Sequence, residues 1–208
     1  MKVVAISGMI GTGKTTLCSA LSQRTGWGVV REDPDKNTFL PLFYNNMERW
    51  ALASQLAFMH HKTSEFQRRA RERNDVLLID RTIQEDLLVF CQVLKKYEIL
   101  SKQEYLLMEQ MYGHFILEWA PIDLTIYLED SDENCFQRLL SRGNAYESKI
   151  ELGYIRTVGT EYRSWRDTHL SAPFVKYDTS AFDFRKPERL DEVLGTIAER
   201  LALGAAST

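Results

Sequence analysis

The stretch Gly8-Met9-Ile10-Gly11-Thr12-Gly13-Lys14-Thr15 lies between an apolar run at residues 3–6 and a helical pattern that begins near Thr16. A strand, a glycine-rich loop and a helix in this order form the context in which G-x-x-x-x-G-K-[ST] binds phosphate. The glycines allow consecutive backbone N–H groups to turn toward a polyphosphate at the positive end of a helix dipole. The flanking pattern disfavours the alternative of a glycine-rich turn with a chance lysine. We therefore predict that a nucleoside triphosphate contacts Gly8, Met9, Ile10, Gly11, Thr12, Gly13, Lys14, Thr15 and Thr16.

Two residues of this loop suit the chemistry of phosphoryl transfer. The ammonium group of Lys14 is predicted to reach the β- and γ-phosphates. The hydroxyl of Thr15 is predicted to complete a Mg²⁺ shell that otherwise consists of phosphate oxygens and water. Further along, the apolar run 76–79 ends in Asp80. This pattern is typical of a buried parallel strand that delivers a carboxylate to the nucleotide site.

Length and composition narrow the class of protein. The chain has 208 residues and a formal net charge of −3. This length suits a single α/β domain over residues 1–208, and a balanced charge disfavours a nucleic-acid polymer as partner. No apolar run approaches the roughly 20 residues that a membrane span needs. Cys18, Cys91 and Cys135 are far apart, as expected for reduced thiols in a cytoplasmic protein.

Apolar runs alternate with helical patterns along the whole chain. Alternation of this kind implies a parallel sheet covered by helices on both faces. We therefore predict an α/β fold, namely a P-loop NTPase-type doubly wound sheet of five parallel strands. The expected strands are 3–6, 29–30, 76–80, 122–128 and 174–177, and the expected helices are 16–24, 48–73, 83–97, 102–119, 133–140, 150–169 and 187–201.

Two features indicate where a second ligand binds. Glu32 follows the second strand, and ligands of open α/β sheets sit beyond the carboxyl ends of strands. Taken alone, Glu32 would fit a solvated loop acid better than a site residue. On the long helix, Gln55, Met59, Lys62 and Phe66 fall on one continuous face. A glutamine and a lysine on an otherwise apolar stripe indicate that this face lines a pocket.

Two further parts of the sequence each allow two interpretations. Helices 83–97 and 102–119 are rich in apolar residues, which fits packing across a homodimer interface as well as ordinary core packing. Arg138 and Arg142 place two guanidinium groups on one helical face. This suits a lid at about 138–150 that closes over phosphates, because forked donors match phosphate oxygens; a solvated basic face is the alternative.

Together these residues resemble the deoxynucleoside kinase family over most of the chain. Each motif is weak alone, whereas their order and spacing are hard to obtain by chance. The resemblance implies ATP-dependent phosphorylation of the 5′-hydroxyl of a deoxyribonucleoside, a reaction of nucleotide salvage. The residues that carry it are the phosphate loop, Glu32 with Pro34, Tyr44 with 48–50 and Gln55, Asp80-Arg81-Thr82 with Asp86, Arg138 and Arg142 with Glu147, Tyr154, Tyr162, Trp165 and 178–184.

The resemblance implies catalytic roles for five residues. Glu32 is the expected general base, and its larger contribution is to aim the attacking oxygen in line. Arg81 is expected to hydrogen-bond the same hydroxyl and, with Lys14, to neutralise phosphate charge. Arg138 and Arg142 are expected to close over the transferring phosphoryl group and exclude water.

The resemblance also implies which residues contact Mg²⁺ and ATP, the phosphate donor. Asp80, beside Thr15, is expected to orient Mg²⁺. The segment 178–184 resembles the loop that covers the donor base, so Asp183 and Phe184 are expected to contact ATP.

For the acceptor, the resemblance pairs Tyr44 with Glu147 at the sugar 3′-hydroxyl. The amide of Gln55 offers a donor and an acceptor to the edge of the base, and Phe90 is expected to stack on its face. The full set of expected acceptor-binding residues is Glu32, Tyr44, Gln55, Met59, Lys62, Arg81, Asp86, Phe90 and Glu147.

The identity of the base is predicted from two charged positions. Thymidine-type members of the family resemble one another in carrying apolar groups where this chain has Lys62 and Asp86. A buried acid needs a donor, so we expect amino-bearing bases to be preferred: deoxyadenosine or deoxyguanosine first, deoxycytidine third. Two residues depart from the family pattern: Asn144 stands where many members have a third lid arginine, and Thr82 replaces a serine.

The nearest alternative is a nucleoside monophosphate kinase. Two others come from different classes of protein: a P-loop regulatory protein or GTPase, and a non-catalytic nucleotide-binding scaffold, which would not consume ATP when nucleosides are supplied. A nucleoside monophosphate kinase would need additional cations for the acceptor phosphate, which Glu32 would repel, unless Arg31 and Lys36 both point inward. A P-loop regulatory protein or GTPase is disfavoured because the sequence contains no N-K-x-D motif. We therefore expect small-molecule partners, Mg²⁺ and a homodimer.

Overall fold

The computed structural model of the chain describes residues 1–72, 74–143, 150–170 and 172–202. Its strands form one sheet in which every neighbouring pair is parallel. Their order across the sheet is β2-β3-β1-β4-β5. The predicted doubly wound sheet of five parallel strands is thereby confirmed. The strands are β1 (Lys2–Gly8), β2 (Gly28–Val30), β3 (Val76–Asp80), β4 (Leu124–Glu129) and β5 (Phe174–Asp178).

The helices agree with the prediction apart from their ends, a π-helical segment within the predicted helix 83–97 and the addition of one α-helix. The addition is α2 (Leu40–Asn45), which contains Pro41 and is too short to show a helical period. The long predicted helix is α3 (Met47–Ala70), which ends three residues before Arg73. The remaining helices are α1 (Lys14–Thr25), a 3₁₀ turn (Pro34–Lys36), α4 (Ile83–Glu85), α5 (Gln92–Lys96), α6 (Lys102–Ile116), α7 (Asp132–Ser141), α8 (Leu152–Thr168) and α9 (Pro187–Leu201).

A π-helical segment, Asp86–Cys91, joins α4 to α5. Such a segment widens the helix locally and occurs frequently at functional sites. Asp86 and Phe90, which the sequence assigns to the acceptor site, both lie on it, and both are buried. The widened turn therefore sets the direction of two predicted binding residues.

Apolar side chains fill both faces of the sheet. On one face, Ile6 of β1 packs with Leu17 of α1 and Ile197 of α9. On the other face, Tyr127 of β4 packs with Trp165 of α8. The central strands are buried on both sides, as parallel strands between two helical layers must be.

A separate apolar cluster holds the helices on the acceptor side. It joins Met59 of α3, Leu87 of the π segment and Met108 of α6. On α6, Leu106 and Leu107 are left 46% and 42% exposed. Within the described part of the chain, no helix has the length and apolar content that spanning a membrane requires.

Candidate active site

The glycines of the phosphate loop are required by their surroundings. Gly8, Gly11 and Gly13 have φ values of 134°, 88° and 92°, which disfavour residues with a Cβ. A Cβ on Gly8 would lie 2.2 Å from the backbone oxygen of Leu128, and one on Gly11 would lie 2.5 Å from that of Cys135. The loop leads into the N-terminus of α1, so its backbone can approach an anion closely.

Lys14 is folded against this loop. Its Nζ donates to the backbone oxygens of Gly8 at 2.7 Å and Met9 at 2.8 Å. Burial lowers the pKa of Lys14 to about 8, and the nearby Arg81 guanidinium acts in the same direction. The ammonium group therefore lies within the loop that is predicted to hold the triphosphate.

Thr15 and Asp80 bring two oxygen ligands together. The Thr15 hydroxyl donates to Oδ2 of Asp80 at 2.7 Å. Burial raises the pKa of Asp80, while Lys14 and the Thr15 hydroxyl favour its charged form. A hydroxyl and a carboxylate beside a phosphate loop fit a Mg²⁺ ion whose other ligands are phosphate oxygens and water. No group of three His, Cys, Asp or Glu residues that could hold a metal occurs in the described ranges.

A cavity beyond β2 and β3 contains most of the predicted acceptor residues. It lies between the phosphate loop, α2, α3 and the π segment. Its lining residues are Ile10, Glu32, Pro34, Leu40, Phe43, Tyr44, Gln55, Phe58, Arg81, Asp86, Phe90, Arg142 and Tyr154.

Glu32 lies between two cations at this cavity. Nη1 of Arg81 donates to Oε1 of Glu32 at 3.0 Å and lies 2.9 Å from Oε2. Nζ of Lys62 lies 3.2 Å from Oε1. Burial by itself raises the pKa of Glu32, but Arg81 and Lys62 outweigh it and lower the pKa to about 2. Glu32 is therefore ionised at neutral pH, and its position is fixed from two sides.

Lys62 also pairs with Asp86. Its Nζ donates to Oδ1 of Asp86 at 2.5 Å, and both side chains are buried. Burial raises the pKa of Asp86 to about 6, although Lys62 acts in the opposite direction. Oδ2 of Asp86 is buried and has no hydrogen-bond partner among the described residues. From the sequence, we expected an amine of the base to be the partner of the buried Asp86 carboxyl group. In the structure, Lys62 provides one partner within the protein.

Arg81 adopts an unusual backbone conformation. Its φ is 65°, in the left-handed region that residues with a Cβ rarely adopt. Its guanidinium carbon lies 4.5 Å from the ring centroid of Phe90. Phe90 therefore supports Arg81 in addition to its predicted role in stacking on a base.

Two predicted acceptor residues lie outside the lining of the cavity. Met59 is completely buried in the apolar cluster of α3 and α6. Lys62 reaches the site through Glu32 and Asp86. Glu147, like the departure at Asn144, lies outside the described residues, so its pairing with Tyr44 stays a prediction.

The lid at about 138–150 stays a prediction, because residues 144–149 lie outside the described ranges, and its two arginines lie at different cavities. Arg142 lines the acceptor cavity. Nη1 of Arg138 donates to the backbone oxygen of Gly11 at 3.2 Å, and its Nη2 lies 2.6 Å from Oδ2 of Asp130. Arg138 therefore lies at a second cavity beside the phosphate loop. That cavity also contains the predicted donor residues Thr16, Asp183 and Phe184.

Sequence reasoning missed some of the acceptor lining. Phe58 lies three residues after Gln55 on the same helix, so the helical period could have identified it. Tyr154 is part of the family pattern but had no assigned role. Phe43 belongs to the unpredicted helix α2, and the contact between Lys62 and Glu32 joins residues 30 positions apart without a sequence signal.

Comparisons with known proteins show the family to which the chain belongs. A sequence model of the family described as deoxynucleoside kinase matches residues 4–201. The chain is 27% identical over 199 residues to the deoxyadenosine/deoxycytidine kinase of Bacillus subtilis (strain 168), covering 94% of this chain and 91% of the relative. It is 30% identical over 213 residues to the deoxyguanosine kinase of Lactobacillus acidophilus (strain ATCC 700396 / NCK56 / N2 / NCFM), covering 97% and 91%.

A solved structure shares the fold. It is that of deoxyadenosine kinase from M. mycoides with bound dCTP, which matches with a TM-score of 0.81 at 20% identity over 95% of this chain and 99% of the other. The family match covers nearly the whole chain and includes both cavities. This chain belongs to the deoxynucleoside kinase family and is a phosphate-transferring enzyme.

Proposed function

We propose that this kinase transfers the γ-phosphate of ATP, with Mg²⁺, to the 5′-hydroxyl of a purine deoxyribonucleoside, and that deoxycytidine is a weaker acceptor. The observation that carries the proposal is the position of Glu32. Its carboxylate lies between Arg81 and Lys62, in a cavity that also contains Gln55 and Asp86. An uncharged sugar alcohol fits this environment.

On the acceptor side, Glu32 accepts a hydrogen bond from the 5′-hydroxyl and Arg81 donates to the same oxygen. Because the pKa of Glu32 is lowered to about 2, this carboxylate is a weak base. Its main contribution is therefore orientation, which suits a loose transition state with little bond formation to the nucleophile. The hydroxyl proton passes to Glu32 late in the reaction.

On the donor side, the loop N–H groups and Lys14 hold the β- and γ-phosphates. When bound, Mg²⁺ neutralises charge on these phosphates, and the Thr15 hydroxyl and the Asp80 carboxylate are the residues that would hold it. Arg142 acts from the acceptor side of the transferred group. Arg138 approaches from the donor cavity, with Asp183 and Phe184.

The proposed preference for amino-bearing bases over thymine rests on Oδ2 of Asp86. Oδ1 is paired with Lys62, so Oδ2 is the atom that can accept from an exocyclic amine. Gln55 lines the same cavity and can pair with a second edge of the base. Thymine carries a carbonyl where the amine would be, and this leaves Oδ2 buried without a donor. Relatives named as deoxyadenosine and deoxyguanosine kinases support the same assignment.

A nucleoside monophosphate kinase is the second candidate, and the charges disfavour it. Arg31 donates to the Ser19 hydroxyl at 2.9 Å, and Lys36 pairs with Asp33 at 3.3 Å. Neither residue lines the acceptor cavity. The cations Arg81 and Lys62 are already matched by Glu32 and Asp86, and the remaining cation of the lining, Arg142, is assigned to the transferred phosphoryl group.

The test is to incubate the purified protein with ATP, Mg²⁺ and each of the four deoxynucleosides separately, and to quantify each monophosphate. We expect deoxyadenosine and deoxyguanosine to react fastest, then deoxycytidine, with thymidine slowest. Thymidine turnover equal to that of the purines would contradict the base assignment. Turnover of deoxynucleoside monophosphates in place of nucleosides would favour the second candidate. Reactions without Mg²⁺ test whether the metal is needed, and reactions with other nucleoside triphosphates in place of ATP test which one is the phosphate donor.

We further propose a homodimer in the cytoplasm. Exposed leucines on α6, Leu106 and Leu107, suit burial against a second copy. The cysteines Cys18, Cys91 and Cys135 are buried free thiols, which suits a reducing compartment. Light scattering during size exclusion measures the oligomer, and a Leu106→Glu substitution is expected to produce monomers.

A further inference from the structure

Glu85 is a buried carboxyl group that the proposed mechanism does not use. It is 0% exposed. Its Oε1 accepts hydrogen bonds from the Ser7 hydroxyl at 2.9 Å, the Thr82 backbone N–H at 2.8 Å and the Thr82 hydroxyl at 3.1 Å. Ser7 directly precedes Gly8, and Thr82 directly follows Arg81. One carboxyl group therefore joins the start of the phosphate loop to the turn that carries Arg81.

That turn holds Arg81 in its left-handed conformation. A conformation of this kind is costly for a residue with a Cβ and persists only where surrounding contacts enforce it. The backbone N–H of Arg81 donates to the oxygen of Ile6 at 3.2 Å. Two consecutive residues of β1, Ile6 and Ser7, thus hold the turn: Ile6 directly and Ser7 through Glu85.

Helix capping alone does not account for Glu85. With Thr82 it forms a capping box at the start of α4. Ser101 and Glu104 form the same motif at the start of α6, but there the carboxyl group is at the surface. Burial of a carboxyl group costs free energy that a cap does not require. The burial of Glu85 therefore calls for another role.

The surroundings of Glu85 relate it to Arg81. Its Oε2 and the Tyr162 hydroxyl are both buried, and an interaction with Glu85 adds to the effect of burial in raising the pKa of Tyr162. The Tyr162 ring packs edge-on against Phe90 at 6.0 Å, and Phe90 lies under the Arg81 guanidinium. Burial by itself lowers the pKa of Arg81, but Glu32 foremost, and then Tyr162 and Glu85, raise it. Glu85 is therefore close enough to Arg81 to act on it, in addition to its hydrogen bonds to Ser7 and Thr82.

We propose that Glu85 is a positioning residue for Arg81: it ties the turn at Thr82 to Ser7 and so holds the guanidinium between Glu32 and Phe90. The inference rests on the proposed role of Arg81 at the acceptor hydroxyl. It also makes the phosphate loop and Arg81 one rigid unit, since Ser7 and Gly8 are adjacent.

The experiment compares Glu85→Ala, Glu85→Gln and the matched capping variant Glu104→Ala in the full chain. We expect Glu85→Ala to lower kcat about 10- to 100-fold, because misplacing a catalytic group by about 1 Å has effects of this size. The Kd for ATP is expected to stay within a few-fold of wild type. Glu85→Gln keeps the shape and one acceptor, so it is expected to restore most of kcat. Glu104→Ala is expected to lower Tm and leave kcat unchanged.

A wild-type kcat in Glu85→Ala, with only a loss of Tm like that of Glu104→Ala, would overturn the proposal. If Glu85→Ala does not fold, Ser7→Ala removes the link to β1 alone. A several-fold loss of kcat in that variant supports the proposal, and an unchanged kcat overturns it. A second readout is the Nε–Hε NMR signal of Arg81, which we expect to shift and exchange faster in Glu85→Ala.

The failure of this inference is distinguishable from failure of the proposed function. Rates are compared with whichever deoxynucleoside the wild type phosphorylates, so the purine preference does not enter. Arg81→Lys tests the role of Arg81 itself. If Arg81→Lys loses turnover and Glu85→Ala does not, only the positioning role fails. If Arg81→Lys keeps wild-type turnover, the role of Arg81 and the inference both fail.

Discussion

The ammonium group of Lys62 lies 2.5 Å from Oδ1 of Asp86, and each side chain is only 2% exposed. The same ammonium group lies 3.2 Å from Oε1 of Glu32. One buried cation therefore links the carboxylate proposed to aim the acceptor hydroxyl with the carboxylate proposed to recognise the base. In the proposed function, base recognition and catalysis share this cation, so we expect a change at Lys62 to affect both.

Replacing Lys62 and Asp86 together is expected to change base preference. The double variant Lys62→Met, Asp86→Ala removes both charges and leaves an apolar space for the thymine methyl group. We expect the ratio of kcat/KM for thymidine over deoxyadenosine to rise by about 10-fold or more. Steady-state kinetics with both nucleosides measure it, and an unaltered ratio would count against the proposed base pocket.

The single variant Lys62→Met serves as the comparison. It leaves two buried carboxylates with one cation fewer, and breaking a buried ion pair on one side costs about 3–5 kcal/mol. We therefore expect urea unfolding to give a lower stability for the single variant than for the double variant. If the single variant is as stable as the double variant, or more stable, Lys62 does not compensate the charge of Asp86.

Replacing Glu32 is expected to abolish most turnover and to spare ATP binding. Glu32→Gln keeps the shape of the side chain but replaces the carboxylate with an amide. The amide cannot accept the proton of the acceptor hydroxyl, and it orients that hydroxyl less well. A loss of about 10²- to 10⁴-fold in kcat is expected for a group of this kind. Isothermal titration with ATP is expected to give an affinity close to that of the wild type.

The matched control for Glu32 is its neighbour Asp33. Asp33 pairs with Lys36 at 3.3 Å, its side chain is 40% exposed, and it does not line the acceptor cavity. Asp33→Asn removes one negative charge from the same loop, and we expect nearly wild-type turnover. Equal losses in both variants would mean that loop charge, not the Glu32 carboxylate, is what matters.

The stability of the protein is expected to depend on pH through Asp86. Burial raises its pKa from 3.8 to about 6. Because the pKa in the folded state is above that in the unfolded state, the contribution of Asp86 is fully present below pH 3.8 and is lost as pH rises through 6. Relative to Asp86→Asn, wild type should lose up to about 3 kcal/mol between pH 4 and 7. Urea unfolding of both proteins across this range tests it, and parallel pH curves would exclude titration of Asp86.

The two lid arginines are expected to have different kinetic effects. Arg142 lines the acceptor cavity, whereas Arg138 contacts Gly11 and Asp130 beside the donor cavity. We expect Arg142→Ala to lower kcat, and Arg138→Ala to raise KM for ATP more than it lowers kcat. Initial rates at varied ATP separate the two parameters. Identical losses of kcat in both variants would support a joint clamp on the transferred phosphoryl group.

The sequence was sufficient for the fold because its signals are local. The phosphate loop needs glycines at fixed spacing, and each buried strand shows as an apolar run, as at 76–80. The short helix α2 was missed because six residues around Pro41 show no period. The π segment was missed because its residues follow an ordinary helical pattern in sequence, and the extra residue per turn becomes visible only in the backbone.

For the site, the sequence by itself determined which chemical groups are candidates. They are Lys14 and Thr15, which we propose for phosphate and Mg²⁺, Glu32 and Asp80 at strand ends, and Gln55 on a helix face. Tertiary structure alone decided how those groups are paired. Lys62 between Glu32 and Asp86, and Glu85 between Ser7 and Thr82, join elements that are distant in the chain. The physical reason is that a buried charge selects its partner by proximity after packing, and no local pattern of residues encodes that proximity.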